Sequence, residues 1–98
     1  MRKGGWTYMM SSVSRRVLYT GVTTNLEGRV WEHQNKTDPK SFTARFNCVM
    51  LVYYKYFDDI TEAIEEEKRL KGYNRAYKDA LVTAMNPTWE DLSDKIEY

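Results

Sequence analysis

The sequence predicts an α+β fold, in which a three-stranded antiparallel sheet is flanked by helices in the order β-β-α-β-α-α. Three short runs of aromatic, β-branched and apolar residues predict the strands. The second half of the chain carries two segments with helix-capping residues at their ends. The chain has 98 residues, of which 42% are hydrophobic, and we expect residues 1–98 to form one domain with its own core.

The first two strands are predicted to form a hairpin. Two runs and the serine- and arginine-rich stretch between them define it: Trp6–Met10, Ser11–Arg16 and Val17–Val22. We place the centre of the loop between Val13 and Ser14. In that register Tyr8 lies directly across from Tyr19, with both rings on one face of the sheet. Gly21 lies on the same face and would leave room for a ligand or a second backbone.

A helix is predicted directly after the hairpin, because Thr24–Glu27 fits the capping box that opens many helices. The stretch 35–47 is polar and contains Asp38-Pro39, so it predicts a loop. The run Val49–Phe57 is the clearest strand of the chain.

Two further helices follow, each with a capping residue before it and a stop signal after it. Their predicted bounds are Asp59 or Thr61 to about Lys71, followed by Gly72, and Asn74 to about Met85, followed by Asn86-Pro87. The residues Thr88–Leu92 are predicted to start a final short helical turn.

The net charge of +1 is unevenly distributed along the chain. Residues 1–57 hold nine Lys or Arg and three Asp or Glu, whereas residues 58–98 hold six and eleven. A basic half with many aromatic residues suits a polyanion such as nucleic acid. Charge alone is equally compatible with two solvated faces of opposite sign that pair with each other.

Several classes of protein are disfavoured by composition. A single cysteine excludes an internal disulfide, and Cys48 with the one histidine cannot build a zinc site alone, so we interpret Cys48 as a buried apolar residue. The N-terminus lacks the sustained apolar run of a signal peptide, and no stretch approaches membrane-spanning length. We expect a soluble, cytoplasmic protein without a membrane partner.

Charged and polar residues occupy apolar positions of two predicted helices. The core-facing stripe of the first helix includes Arg29 and His33, which are four residues apart and share one face. The equivalent stripe of the next helix ends on Glu67. A charge turned toward the sheet must find a partner or border a cleft, because an unpaired buried charge is very costly.

Each of these features also has a structural explanation. Strand tyrosines such as Tyr8 and Tyr19 are far more often core residues than catalysts. Arg29 and Glu67 could form one ion pair, and His33 could border the core or the end of its helix. The convergence of two phenols, a guanidinium, an imidazole and a carboxylate on one region favours a functional site.

In this order, these residues resemble the GIY-YIG nuclease superfamily. The matching segments are the triplets Trp6-Thr7-Tyr8 and Tyr19-Thr20-Gly21, the helix Asn25–His33 with Arg29, the segment Ala63–Lys71 with Glu67, and Asn86. Three triplet positions depart from the family, because Trp6, Thr7 and Thr20 replace a glycine and two isoleucines. Glu66 stands where short members commonly have a basic residue. The resemblance covers about residues 5–92 and is greatest to short single-domain members, which are similar to the nuclease domain at the N-terminus of a bacterial excinuclease.

The resemblance implies hydrolysis of a DNA phosphodiester bond with a divalent cation. Glu67 would bind the metal, most simply Mg²⁺ or else Mn²⁺, with water and phosphate oxygens completing its shell. Arg29 would neutralise charge on the phosphate oxygens, while Tyr8 and Tyr19 would position the attacking water. His33 could relay a proton, and the base remains open between it and a tyrosine. Asn86 completes the implied catalytic set.

The leading hypothesis is therefore a small endonuclease in DNA repair or in processing branched or foreign DNA. Lys36, Lys40 and Arg45 of the 35–47 loop are the candidates for contacts to the DNA backbone, and a protein partner could add specificity. One alternative is a non-catalytic nucleic-acid-binding module on the same scaffold. Another is a protein-interaction domain that uses exposed tyrosines of the third strand and the acidic half.

Overall fold

The aromatic and β-branched runs form the strands that they predict, and the capped segments form helices. The structure, a computed structural model, describes residues 4–97. Its elements are β1 (Gly5–Ser12), β2 (Leu18–Thr23), α1 (Leu26–Asn35), α2 (Phe42–Arg45), β3 (Cys48–Phe57), α3 (Ile60–Lys71), α4 (Arg75–Met85) and a 3₁₀ turn (Ser93–Lys95). The predicted fold class, an antiparallel three-stranded sheet with flanking helices, is confirmed.

The central strand β1 organises two layers of core. It pairs antiparallel with β2 on one side and with β3 on the other. Its side chains alternate between the faces of the sheet, as a pleated strand requires. Tyr8 shares one buried cluster with Leu26 of α1, and Met9 shares another with Leu70 of α3 and Val82 of α4. The candidate site therefore forms on the face that α1 covers.

Cys48 is fully buried in the cluster with Tyr8, as its interpretation as a small apolar residue requires. None of the helices within residues 4–97 combines the length and the apolar character needed to cross a membrane.

The predicted hairpin register is wrong by two residues. Tyr8 pairs with Gly21, and Tyr19 pairs with Met10, because β1 continues through Ser12 before the chain turns. The Val17 carbonyl accepts the Ser12 backbone N–H at 2.9 Å and so closes the loop later than predicted. Both tyrosines still lie on one face, since a shift of two residues preserves the alternation of a strand.

Side chains that accept backbone N–H groups start the helices. Asp59 and Asn74 cap α3 and α4 as predicted. For α1 the cap is Asn25 rather than Thr24, and its Oδ1 accepts the Gly28 N–H at 3.1 Å. The Thr23 hydroxyl accepts the Asn25 N–H at 3.0 Å, which fixes the turn one residue later than the capping box predicts.

The predicted loop 35–47 contains a helical turn, α2. Ser41 caps it by accepting the Ala44 N–H at 3.3 Å. The prediction that residues 35–47 form a loop is therefore wrong for residues 42–45, because Ser41 starts a helical turn after Asp38-Pro39.

The final helical turn also lies later than predicted, at Ser93–Lys95 rather than within 88–92. The chain before it makes a turn at residues 87–88 and is then bound to β3. The Leu92 N–H donates to the Leu51 carbonyl at 2.7 Å, and the Leu51 N–H donates to the Asp91 carboxylate at 3.1 Å. These bonds occupy groups that a helical turn would need.

Candidate active site

A short hydrogen bond joins the Tyr8 hydroxyl to the His33 ring. Tyr8 is fully buried on β1, and its Oη lies 2.8 Å from Nε2 of His33. The buried Val30 lies on the same face of α1 as His33 and holds that face against the sheet. Burial and the nearby Tyr19 phenol raise the pKa of Tyr8, against the opposing effect of Arg29, so Tyr8 keeps its proton at neutral pH.

The second nitrogen of His33 is also engaged. Nδ1 lies 2.7 Å from Oγ1 of Thr43, which lies 3.3 Å from Oγ of Ser41. Burial lowers the pKa of His33, and the positive charge of Arg29 lowers it further while Glu32 opposes this effect. The ring is therefore neutral at pH 7, with one nitrogen donating and the other accepting.

Tyr19 lies beside this pair rather than in it. Its ring centroid is 6.3 Å from that of Tyr8 and 5.6 Å from that of His33. The space that Gly21 leaves open is filled from within the chain, since the Tyr8 ring lies over it. The expectation that Gly21 leaves room for a ligand or a second backbone is therefore wrong, because the glycine makes room for a tyrosine of the site.

Replacing Gly21 by alanine should destabilise the protein and disturb the Tyr8 hydroxyl. An added Cβ would lie 2.6 Å from Cζ and Oη of Tyr8 and 2.9 Å from Cε2 of Tyr19. We expect the free energy of unfolding in urea to fall by about 1–3 kcal/mol, as for overpacked cores. At Gly72 the same change has space, with the nearest atom at 3.4 Å. Gly72→Ala should leave the free energy unchanged or raise it, and equal losses for both variants would contradict the steric explanation.

Arg29 lies one helical turn before His33, at the edge of the site. Its side chain is 46% exposed and lies 3.5 Å from the Glu32 carboxylate. Burial opposes the charge of the guanidinium, but the interactions with Tyr8 and Glu32 together raise its pKa, so it is always charged. The alternative prediction, an ion pair between Arg29 and Glu67, is wrong. Glu67 pairs with Lys71 instead, at 3.4 Å.

Glu67 is the carboxylate that the family resemblance assigns to a metal ion. Only 16% of its side chain is exposed, and its negative charge contributes to the raised pKa of Tyr8, which places it within electrostatic reach of that hydroxyl. Within residues 4–97 no group of three or more His, Cys, Asp or Glu could enclose a metal. One carboxylate still fits Mg²⁺ or Mn²⁺, because Mg²⁺ commonly keeps several waters and uses substrate phosphates as ligands.

A cleft of about 270 Å³ opens between α1 and the segment around α2. Its lining residues are Tyr19, Arg29, Glu32, His33, Thr37, Asp38, Ser41, Phe42 and Thr43. Tyr19, Arg29 and His33 thus face one space, whereas Tyr8 reaches it through the His33 ring. The cationic and hydrogen-bonding groups suit a phosphate, and the acidic Glu32 and Asp38 restrict where it can lie.

Asn86 is used structurally. Its amide nitrogen donates to the carbonyls of Val52 at 3.2 Å and Glu90 at 2.8 Å, and its Oδ1 accepts the Glu90 N–H at 3.1 Å. Asn86 is 2% exposed and is not among the residues that line the cleft. It joins the end of α4 to β3, so a catalytic role has no contact in this structure to support it.

The three cations predicted to contact DNA all lie on the segment after α1, and all are exposed. Lys36 ends α1 in a left-handed conformation, with φ 50°. Lys40 precedes α2, and Arg45 lies in its last turn with its guanidinium 5.6 Å from the centre of the Phe46 ring. They share a segment with the Ser41–Thr43 wall of the cleft.

Sequence reasoning missed Thr43 and the acidic Glu32 of the site. The capping Ser41 was a readable signal for α2. The contact of Thr43 with His33 was not readable, because it depends on how the segment folds back ten residues after the histidine.

The comparisons with known proteins agree with this fold. A model of the GIY-YIG catalytic domain family matches residues 4–79. The chain belongs to this nuclease-type family, and the predicted resemblance is confirmed. GIY-YIG nucleases generally depend on a divalent metal and act on DNA. The matched residues include the two tyrosines, Arg29, His33 and Glu67 but not Asn86.

Its relatives are UPF0213 proteins, a small single-domain GIY-YIG family. One from Natronomonas pharaonis is 38% identical over 79% of this chain and 88% of its own length. One from Clostridium perfringens is 34% identical over 81% and 84%. The solution NMR structure of a UPF0213 protein from Bacillus halodurans covers 97% of this chain and 99% of its own, with a TM-score of 0.57 and 22% identity, and shows the shared fold.

Proposed function

We propose that this protein is an endonuclease that hydrolyses DNA phosphodiester bonds with a divalent metal ion, Mg²⁺ or Mn²⁺. The observation that carries the proposal is the convergence of Tyr19, Arg29 and His33 on one cleft, with Tyr8 hydrogen-bonded behind the histidine. Repair, or the processing of branched or foreign DNA, is the proposed setting.

The phosphate would be held by Arg29. A guanidinium can donate two hydrogen bonds to phosphate oxygens, and its charge stabilises the charge that grows on them in the transition state. Its partial exposure leaves it free to exchange the loose 3.5 Å contact with Glu32 for the substrate. Glu67 would bind the metal, which when bound supplies electrostatic stabilisation of the reacting phosphate.

The proton of the attacking water would pass to the Tyr8–His33 pair. Tyr8 holds its own proton, so it can accept one from water only by giving its own to Nε2 of His33, 2.8 Å away. His33 is neutral beforehand and can receive that proton. Tyr8 is fully buried without substrate, so its hydroxyl would have to become accessible to the reacting water when DNA binds. Tyr19 at the cleft would orient that water.

The test is cleavage of supercoiled plasmid and of branched DNA by the purified protein, with Mg²⁺ and with chelator. Metal-dependent nicking supports the endonuclease. DNA binding without cleavage in either condition would favour the non-catalytic binding module. A protein-interaction domain would bind no nucleic acid. Of the third-strand tyrosines proposed for its surface, Tyr53 is buried, whereas Tyr56 is exposed beside Trp6.

We also propose that Lys36, Lys40 and Arg45 contact the DNA backbone. For Lys40→Ala and Arg45→Ala, we expect the slope of log affinity against log salt concentration to become shallower by about one for each lost phosphate contact. The measurement is DNA-binding anisotropy in chelator at several salt concentrations. Lys78→Ala on α4, at the other face of the sheet, is the matched control. The same slope for all three variants would contradict the assignment.

A further inference from the structure

The hydroxyl of Thr43 is the second hydrogen-bond partner of the His33 ring. Thr43 is 2% exposed, and Oγ1 lies 2.7 Å from Nδ1 of His33. The residue belongs to α2, whose cap Ser41 fixes the turn that presents Thr43 to the ring. A buried hydroxyl at this distance can accept a hydrogen from an imidazole nitrogen or donate one to it, and so stabilises one of the two ring tautomers.

The directions of these hydrogen bonds follow from one another. The distances fit two tautomers of the ring, and in one of them the protonated Tyr8 hydroxyl donates and Nε2 accepts. In a neutral ring Nδ1 then carries the hydrogen and donates to Thr43. The Thr43 hydroxyl passes its own hydrogen toward Ser41, 3.3 Å away. In this series of hydrogen bonds, the side-chain hydrogens of Tyr8, His33 and Thr43 each have an acceptor. The hydroxyl hydrogen of Ser41 ends the series.

We propose that Thr43 is a positioning residue of the proposed hydrolysis, which holds His33 in the Nδ1–H tautomer so that the Nε2 lone pair faces Tyr8. The inference rests on the proposed function for its role in the reaction. When Tyr8 gives its proton to Nε2, the ring becomes an imidazolium with two N–H donors. Thr43 remains an acceptor for one of them, so this bond strengthens as the charge forms. As the water oxygen bonds to phosphorus, the bond from phosphorus to the leaving sugar oxygen breaks. That oxygen takes a proton from solvent water, and the imidazolium returns its own to solvent.

The groups that face the His33 ring are consistent with this role. They are Tyr8 from β1, Tyr19 from β2, Arg29 and Glu32 from α1, Thr43 from α2 and Asp38 from the cleft wall. Of these, Tyr8 and Thr43 make hydrogen bonds to the ring nitrogens.

The chain's single histidine makes the tautomer directly measurable. In ¹⁵N-labelled, tag-free protein without metal or DNA at pH 8, long-range ¹H–¹⁵N spectra should show a protonated Nδ1 and an unprotonated Nε2. Thr43→Val keeps the shape and removes the hydroxyl, so the proton should shift toward Nε2. Thr43→Ser should retain the wild-type tautomer. The control Thr61→Val, at an exposed position of α3, should leave the ring signals unchanged.

Cleavage assays complete the test. We expect kcat of Thr43→Val to fall by about tenfold, a part of what general acid–base catalysis contributes, with KM nearly unchanged and activity restored in Thr43→Ser. A wild-type ring protonated on Nε2 would overturn the proposal even if Thr43→Val did not fold. Wild-type tautomer and kcat in a folded Thr43→Val would overturn it as well. The spectra do not need cleavage, so an inactive wild type would refute the proposed function separately.

Discussion

Glu67→Gln should abolish metal-dependent DNA cleavage while leaving the protein folded and able to bind DNA. The substitution keeps the size of the side chain and removes the negative charge that would hold the metal. A bound metal is worth several kcal/mol of transition-state stabilisation, so we expect the nicking rate with Mg²⁺ to fall by about 10³-fold or more. The measurement is the rate of plasmid nicking across a range of Mg²⁺ concentrations.

The stability of Glu67→Gln should change little. The ion pair that it loses, with Lys71 at 3.4 Å, involves a lysine side chain that is 52% exposed. Such pairs contribute about 0–1 kcal/mol, so the melting temperature should stay close to that of the wild type. Glu65→Gln, an exposed carboxylate two residues earlier on α3, is the matched control and should nick normally. Full activity in Glu67→Gln would contradict the assignment of Glu67 as the metal ligand. Equal losses of activity in both variants would show a general effect of charge on α3.

Arg29→Ala should slow cleavage nearly as strongly, by about 10²–10³-fold, the range found when one preorganised donor to a developing charge is lost. Arg29→Lys should recover only part of that loss, because an ammonium keeps the charge but not the two-pronged geometry of a guanidinium. The effect should lie mainly in kcat, since the proposed contact strengthens as the transition state forms. Single-turnover cleavage at saturating protein separates kcat from affinity.

Arg16→Ala is the matched control for Arg29. Arg16 is an exposed arginine of the hairpin loop, and its contact with Arg75 uses its backbone carbonyl, which alanine retains. Its activity should equal that of the wild type. If Arg29→Ala weakened DNA binding and left kcat unchanged, Arg29 would be a binding residue rather than one that acts on the transition state.

Local signals predicted most of the helices and strands. Asp59 and Asn74 act through bonds to N–H groups two or three residues away, so their capping roles are readable in the sequence itself. Arg29 and His33 share a face because four residues make about one helical turn. The family resemblance added the chemistry of these positions, and the family membership is confirmed. The catalytic roles remain predictions that the proposed experiments test.

Contacts between distant segments could not be predicted from the sequence. The hairpin register depended on where β1 ends, and two residues decided whether Tyr8 lies across from Tyr19 or from Gly21. The turn predicted within 88–92 was displaced by bonds to Leu51, some 40 residues earlier. The structural role of Asn86 likewise depends on its hydrogen bonds to the carbonyls of Val52 in β3 and of Glu90 in its own loop.

Strand alternation and helical periodicity predict from the sequence that Tyr8 and Tyr19 share one face of the sheet and that Arg29 and His33 share one face of α1. Both patterns are local and survive an error of two residues in register. How these side chains are connected depends on the tertiary structure. The bonds from Tyr8 to His33 and from His33 to Thr43 join β1, α1 and α2 across 25 and 10 residues. Such bonds depend on packing, and packing is set by the whole core rather than by any one segment.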